Sequence, residues 1–219
     1  MLRALFEKTG TAVYISHLDL MRLFQRAFKR AGLSLTHSHG FNPRPSVSIA
    51  MPMSLGMESQ CELLDFDLEE RPESLDLICQ KLNDALIPGV RVRKVYEGGQ
   101  KLKNLAYLYC SLTLEYDLGV PENGPEDLKA LFSRESLPVQ KKGKNGMTEQ
   151  DIVPLIRRLE IAAISSGELE IRPRICCQNP SLNPMQLVAA VNCYLPELAP
   201  DFVRCCRTEI YDTEESVFR

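Results

Sequence analysis

Residues Ser16 to Gly32 (SHLDLMRLFQRAFKRAG) constrain the fold more than any other stretch, because both ends of a helix are marked in them. Ser16-His17-Leu18-Asp19 has the form of a capping box. The Ser16 hydroxyl is expected to accept from the Asp19 N–H, and the Asp19 carboxylate to reach back to the Ser16 N–H. That carboxylate also meets the positive end of the helix dipole. Leu20, Phe24, Ala27, Phe28 and Ala31 recur at helical spacing and predict a buried stripe. Arg22, Arg26, Lys29 and Arg30 fall on another face, and Gly32 is a natural stop. The pattern predicts an amphipathic helix of about four turns carrying a cationic ridge.

A helix buried on one side needs a layer to pack on, and strand patterns supply it. Residues 2–15 read as an opening strand hooked at Thr9-Gly10; 46–53 and 61–68 read as two strands with a turn at 54–57. Pro72 to Ala85 reads as a second helix and Val90 to Tyr96 as a closing strand. This order, β-α-β-β-α-β, is the ferredoxin-like split βαβ unit, an antiparallel sheet with both helices on one face. Gly98-Gly99 is the expected linker. The rhythm then repeats with a strand at 108–116, a helix at 125–133, a ribbon from Pro138 turning at Gly143 or Asn145-Gly146, extended chain over much of 152–164, a strand at 168–176, a helix at 185–194 capped by Asn183, and a last strand at 202–211. The expected class is α+β, with tandem ferredoxin-like domains over 1–98 and 99–219.

Composition narrows the function classes. Charged residues are 25% and hydrophobic residues 44%, ordinary for a globular protein. No apolar run approaches the roughly 20 residues that span a bilayer, and MLRALFEKTG is too charged for a secretory signal. A cytoplasmic location without membrane contact is expected. The net charge of −3 excludes a globally basic nucleic-acid binder. The distribution is uneven, however. Up to residue 50 the chain carries Arg3, Lys8, Arg22, Arg26, Lys29, Arg30 and Arg44 against Glu7 and Asp19, and an acidic stretch follows from Glu58 to Asp76. A local basic patch is an electrostatic footprint for polyanions. Lys141, Lys142 and Lys144, then Arg157, Arg158, Arg172 and Arg174, form a second basic series that reads as a solvated surface or as a phosphate contact. None of the eight cysteines forms C-x-x-C, so they read as small buried apolar residues rather than metal ligands. No metal site and no cofactor are expected.

The loop after the helix, Ser38-His39-Gly40-Phe41-Asn42-Pro43-Arg44-Pro45, is stiffened by two prolines and carries donors around one aromatic ring. Ser16, His17, Asp19, Arg22, Asn42 and Arg44 are expected to line one concave site, with Glu62 pairing Arg44 or Arg22, and the helix N-terminus offering N–H groups to an anion. A plain packing role, with Phe41 in the core, is the alternative. A neutral His17 or His39 placed beside Ser16 suggests acid–base chemistry, though no Ser-His-Asp or Cys-His spacing supports it. The phosphate-loop and dinucleotide patterns do not occur.

The motifs S-H-L-D-L, R-A-x-x-R-A-G-L, G-F-N-P-x-P and L-G-x-x-S-x-x-E, in this order, resemble a bacterial radical-SAM-linked family of unknown function, over the whole chain. The resemblance implies a radical SAM protein of the B12 type as partner, and no reaction. Taken together with the basic ridge and the stiff loop, it gives the expectation of a non-catalytic substrate-binding partner of a radical SAM enzyme that recognises structured RNA such as tRNA or rRNA, through Ser16, His17, Asp19, Arg22, Arg26, Arg30, the loop residues Ser38, His39, Gly40, Phe41, Asn42 and Arg44, and Glu62. A metal-independent RNA-processing enzyme using His17 or His39, and a protein–protein scaffold, stand beside it as alternatives.

Overall fold

Strand β1 (Leu2–Lys8) alternates, with Leu2, Ala4 and Phe6 buried on one face. The computed structural model describes residues 1–143 and 146–219; Lys144 and Asn145 of the proposed ribbon turn, and the Lys142 side chain, lie outside the described residues. Two units form, Met1–Leu102 together with Arg219, and Lys103–Phe218.

In the first unit β1 is followed by α1 (His17–Arg30), β2 (Val47–Ile49), β3 (Met57–Phe66), α2 (Leu75–Ala85) and β4 (Val90–Glu97). The strands lie in the order β4-β1-β3-β2 and every pair is antiparallel. The register sets Leu2 opposite Phe66 and Ala4 opposite Leu64, so these side chains share a face. That face joins Leu20, Phe24, Ala27 and Phe28 of α1 and Ile78 and Leu82 of α2 in one core. Phe6 meets Phe24 edge-on at 4.8 Å between centroids, and Phe28 meets Phe66 at 4.8 Å. Asn83 fastens α2 to the sheet, bonding both the N–H (2.8 Å) and the carbonyl (2.9 Å) of Val92.

Several boundaries differ from the sequence reading. The first strand stops at Lys8, because the chain turns through a 3-10 segment, Gly10–Tyr14, with Gly10 at φ 56°. The second helix begins after Ser74, whose hydroxyl accepts from the Leu77 N–H, rather than at Pro72. The third strand starts at Met57, directly after the turn at Gly56 (φ 80°).

The second unit runs β5 (Leu105–Glu115), α3 (Gly124–Phe132), β6 (Pro138–Gly143), β7 (Gly146–Asp151), β8 (Ile156–Ser165), β9 (Glu168–Cys176), α4 (Met185–Tyr194) and β10 (Phe202–Asp212). Its sheet has the antiparallel order β10-β5-β9-β8. The β6–β7 ribbon pairs with itself and is held to α4 by the Tyr194 hydroxyl, which donates to the Pro138 carbonyl at 2.9 Å. Leu108, Leu112 and Leu114 of β5 and Leu169, Ile171 and Ile175 of β9 are buried, and the residues alternating with them form the polar face. The class is α+β with a mostly antiparallel sheet. Among the described residues no helix is long and apolar enough to cross a membrane.

Candidate nucleic-acid interface

The α1 helix presents its ridge as the spacing predicts. Arg22, Arg26, Lys29 and Arg30 are all exposed, opposite the buried Leu20, Phe24 and Ala27. Arg30 donates to the Ala85 carbonyl at the end of α2 (2.5 Å), and Arg22 is paired with Asp19 at 2.8 Å. The side chains of Arg26 and Lys29 have no hydrogen-bond or ion-pair partner among the described residues. At the helix start the Ser16 hydroxyl accepts from the Asp19 N–H at 3.2 Å. The return bond differs from the capping-box expectation: the Asp19 carboxylate accepts from the Ser16 hydroxyl at 2.7 Å and from Arg22. The Ser16 hydroxyl, then Arg22, hold the Asp19 carboxyl below its ordinary value. His17 lies half-buried, and its Nδ1 is shielded without a hydrogen-bond partner.

Two of the seven basic residues counted in the first 50 do not contribute to the surface charge. Arg3 is fully buried and forks onto Asp65 at 2.5 and 2.9 Å, with a further bond to the Gln100 carbonyl at 2.9 Å. Lys8 is buried too, donating to the carbonyls of Val13 (3.1 Å) and Ile15 (2.9 Å). The exposed excess is therefore confined to α1 and Arg44.

The loop is as stiff as its prolines suggest, and it projects. His37 bridges Pro45 in antiparallel fashion, the Ser38 N–H donates to the Arg44 carbonyl at 2.8 Å, and the Arg44 N–H donates to the Ser38 hydroxyl at 3.0 Å. Ser38, His39, Gly40, Asn42 and Arg44 are exposed, and Phe41 is 104% exposed. The alternative that Phe41 fills the core does not hold.

Nor does the expectation of one concave site. His37 and Pro45, at the base of the loop, line a cleft of about 490 Å³ with Gln25, Phe28, Lys29, Gly32, Leu33, Ser34, Leu35 and Glu69. The loop base thus sits beside the C-terminal half of α1. Ser16, His17 and Asp19 are at the N-terminal end of the 14-residue helix, whereas the cleft takes Gln25, Phe28 and Lys29 from its other half, about 9–20 Å further along the axis at 1.5 Å per residue. The physical reason is connectivity. The loop leaves the C-terminal end of α1, and the chain returns toward the helix start only through the short β2 (Val47–Ile49) and the segment that follows it up to Gly56. What arrives there is the turn at Gly56, whose N–H donates to the Val13 carbonyl at 3.0 Å. The base of the loop is thus gathered with the C-terminal half of α1, and no hydrogen bond or ion pair among the described residues joins His39, Asn42 or Arg44 to Ser16 or His17. Glu62 also departs from expectation: it is 1% exposed within β3, opposite Phe6, whereas Arg22 and Arg44 are exposed.

The cysteines are mixed: Cys61, Cys110 and Cys205 are buried, Cys193 is exposed, and the other four are half-buried; all are free. Burial pushes the thiols of Cys79 and Cys176 up, and that of Cys177 up to about 12, which disfavours the nucleophilic thiolate. Among the described residues no group of three or more His, Cys, Asp or Glu side chains is placed to hold a metal.

Sequence reasoning missed the cleft. Gln25, Ser34, His37 and Glu69 each look like ordinary surface residues, and only the fold gathers them. The signal available was Glu69, three residues past the end of β3, whose N–H donates to the Ser34 carbonyl at 2.9 Å.

Among solved structures, the chain is similar in fold to a chain in a Cbf5-Nop10-Gar1 complex, with 8% identity and a TM-score of 0.50 over 94% of this chain and 48% of that one. It thus spans about half the length of that neighbour, and the likeness is one of fold alone. An unknown protein from Galdieria sulphuraria aligns over 94% of this chain and 96% of that one, with 15% identity and a TM-score of 0.26. No curated protein matches the chain. Residues 1–184 match the model of a family described as uncharacterised protein conserved in bacteria (DUF2344), and with most of its length inside that match the chain belongs to this family.

Proposed function

We propose that the protein is a non-catalytic RNA-binding partner of a radical SAM enzyme, and that α1 is where structured RNA lies. The observation that carries the reading is the exposed ridge: Arg22, Arg26 and Arg30 repeat once per turn on the solvent face, with Lys29 beside them and Arg44 on the neighbouring loop. Such a row matches a phosphate backbone in sign and continuity, and it supplies affinity without sequence preference. The partner enzyme follows from the resemblance of the S-H-L-D-L and G-F-N-P-x-P motifs. We read each unit as a ferredoxin-like domain, the division falling at Gly98-Gly99; the shared strand order β4-β1-β3-β2 and β10-β5-β9-β8 supports this. Placing the protein with RNA in the cytoplasm is part of the same proposal.

The test is a titration of tRNA at several salt concentrations with the unchanged chain and with R22Q/R26Q/R30Q. The logarithm of affinity should fall with the logarithm of salt, and the variant should lose about 0.7–0.9 of slope per missing contact. An unchanged slope in the variant would refute the ridge as the RNA site.

A further inference from the structure

We propose that the cleft between the C-terminal half of α1 and the base of the 36–46 loop receives one unpaired nucleobase of the bound RNA. The inference rests on the ridge reading and extends it from backbone to base.

Three observations carry it. The first is the lining. Phe28, Leu33, Leu35 and Pro45 give apolar surface, and the cleft's volume of about 490 Å³ lies within the roughly 300–1,000 Å³ of small-ligand sites. The second is the state of its polar groups. The side chains of Gln25, Lys29, Ser34, His37 and Glu69 all reach this cleft, and none has a hydrogen-bond or ion-pair partner among the described residues. An amide, a hydroxyl, an imidazole and a carboxylate together offer both donors and acceptors, which is what the edge of a heterocyclic base requires. The Glu69 carboxylate opposes a phosphate here, so a neutral base suits the cleft while the phosphates stay on the ridge. The third is continuity. Lys29 stands on the cleft rim one turn from Arg26 of the ridge, so a strand held by Arg22 and Arg26 delivers its next nucleotide to the opening.

The wall facing the helix is fixed. Ser46 donates its N–H to the Thr36 carbonyl at 2.7 Å, and the Ser38–Arg44 bonds close the loop above it. A base inside a Watson–Crick helix cannot enter such a recess, whereas a bulged or loop base can swing out. The proposal therefore assigns the cleft to RNA with an unpaired base beside a helix.

Two probes of equal length test this with the full chain, an RNA duplex and the same duplex carrying one bulged 2-aminopurine. The bulged RNA should bind more tightly by roughly 5- to 100-fold, the value of one stacked base, and its fluorescence should change on binding. Q25L/S34L, which fills the opening and removes two edge-reading groups, should bring the bulged RNA down to the affinity of the duplex while keeping the salt slope. His37→Ala, which leaves the helix untouched, should give a partial loss in the same direction. Equal affinity for both RNAs, or full bulge preference in both variants, would overturn the cleft proposal and leave the ridge standing. No salt-dependent binding of either RNA would remove the ridge reading and the cleft with it.

Discussion

Two arginine-rich surfaces of this chain are treated differently by their neighbours. On α1, the ridge of Arg22, Arg26, Lys29 and Arg30 is met by a single carboxylate, Asp19, which pairs only with Arg22. On the polar sheet face of the Lys103–Phe218 unit, every arginine of the series has an acidic partner. Arg157 and Arg174 share Glu215 at 2.7 and 2.8 Å, Arg158 meets Glu160 at 2.8 Å, and Arg172 meets Glu170 at 2.5 Å. The Arg174 guanidinium also lies over the Tyr211 ring at 4.2 Å. Counting basic residues treats the two surfaces alike; counting their partners separates them. A phosphate approaching the sheet face must displace a carboxylate, whereas one approaching Arg26 or Lys29 displaces only water.

The largest effect should come from setting the two surfaces against each other. At about 0.15 M salt, three lost phosphate contacts correspond to roughly a 100-fold loss of RNA affinity, the expectation for R22Q/R26Q/R30Q. R157Q/R158Q/R172Q/R174Q removes more positive charge and should leave tRNA affinity within about threefold. If the second variant loses as much as the first, the ion pairs do not screen the sheet face and the comparison fails.

Within the first unit the same contrast divides two phenylalanines. Phe24 is fully buried against Phe6, and Phe24→Ala should cost about 3–5 kcal/mol in urea denaturation. Phe41 meets solvent on all sides, and Phe41→Ala should change stability by less than about 0.5 kcal/mol. A large destabilisation by Phe41→Ala would show that the loop tip packs in solution and is not a presented surface.

These two residues also show what was legible in the sequence. The Phe24 position follows from periodicity, because a 3.6-residue repeat has only one face to bury. The helix, its Ser16 cap and its ridge were readable for the same reason, as were β9 and α4 in the second half, where the 168–176 alternation and the 185–194 helix match those observed, although Pro184 and not Asn183 takes the N-cap position while the Asn183 Oδ1 accepts from the Met185 N–H. Phe41 was not readable, since a loop carries no period, and its exposure depends on hydrogen bonds between Ser38 and Arg44. The pairing of Arg3 with Asp65 was hidden for another reason: the residues are 62 apart and meet only through the β1–β3 register. The single concave site failed because local stiffness says how a loop is held, while the direction of the chain decides which end of the helix it stands beside.

A smaller effect separates the two ends of α1. Ser16→Ala removes the cap on the Asp19 N–H and should cost about 1 kcal/mol in urea denaturation. Because the cleft and loop stand at the other end of the helix, the same variant should keep the affinity of the unchanged chain for bulged RNA. A selective loss of that affinity, with the helix still folded by circular dichroism, would move the binding site back to the helix start.

The smallest effect belongs to the partner that distinguishes the sheet face. Arg157, and then Arg174, hold the Glu215 carboxyl below its ordinary value of 4.5. A carboxyl depressed in the folded state adds stability above its unfolded value, and that stability is lost as pH falls through the folded one. Glu215→Gln should therefore lower the urea midpoint slightly at pH 7, and the difference from the unchanged chain should shrink below about pH 4.5 and vanish once both carry a neutral side chain. The substitution also leaves Arg157 and Arg174 without their carboxylate. If acidic partners are what distinguish the two arginine surfaces, E215Q should steepen the salt dependence of RNA binding by up to about one contact, roughly 0.7–0.9 in slope. A measurable stability loss at pH 7 without any change in slope would show that the arginines stay folded onto the sheet, held by Tyr211 stacking rather than by charge. In that case the contrast with α1 lies in the geometry of the arginines and not in their neutralisation.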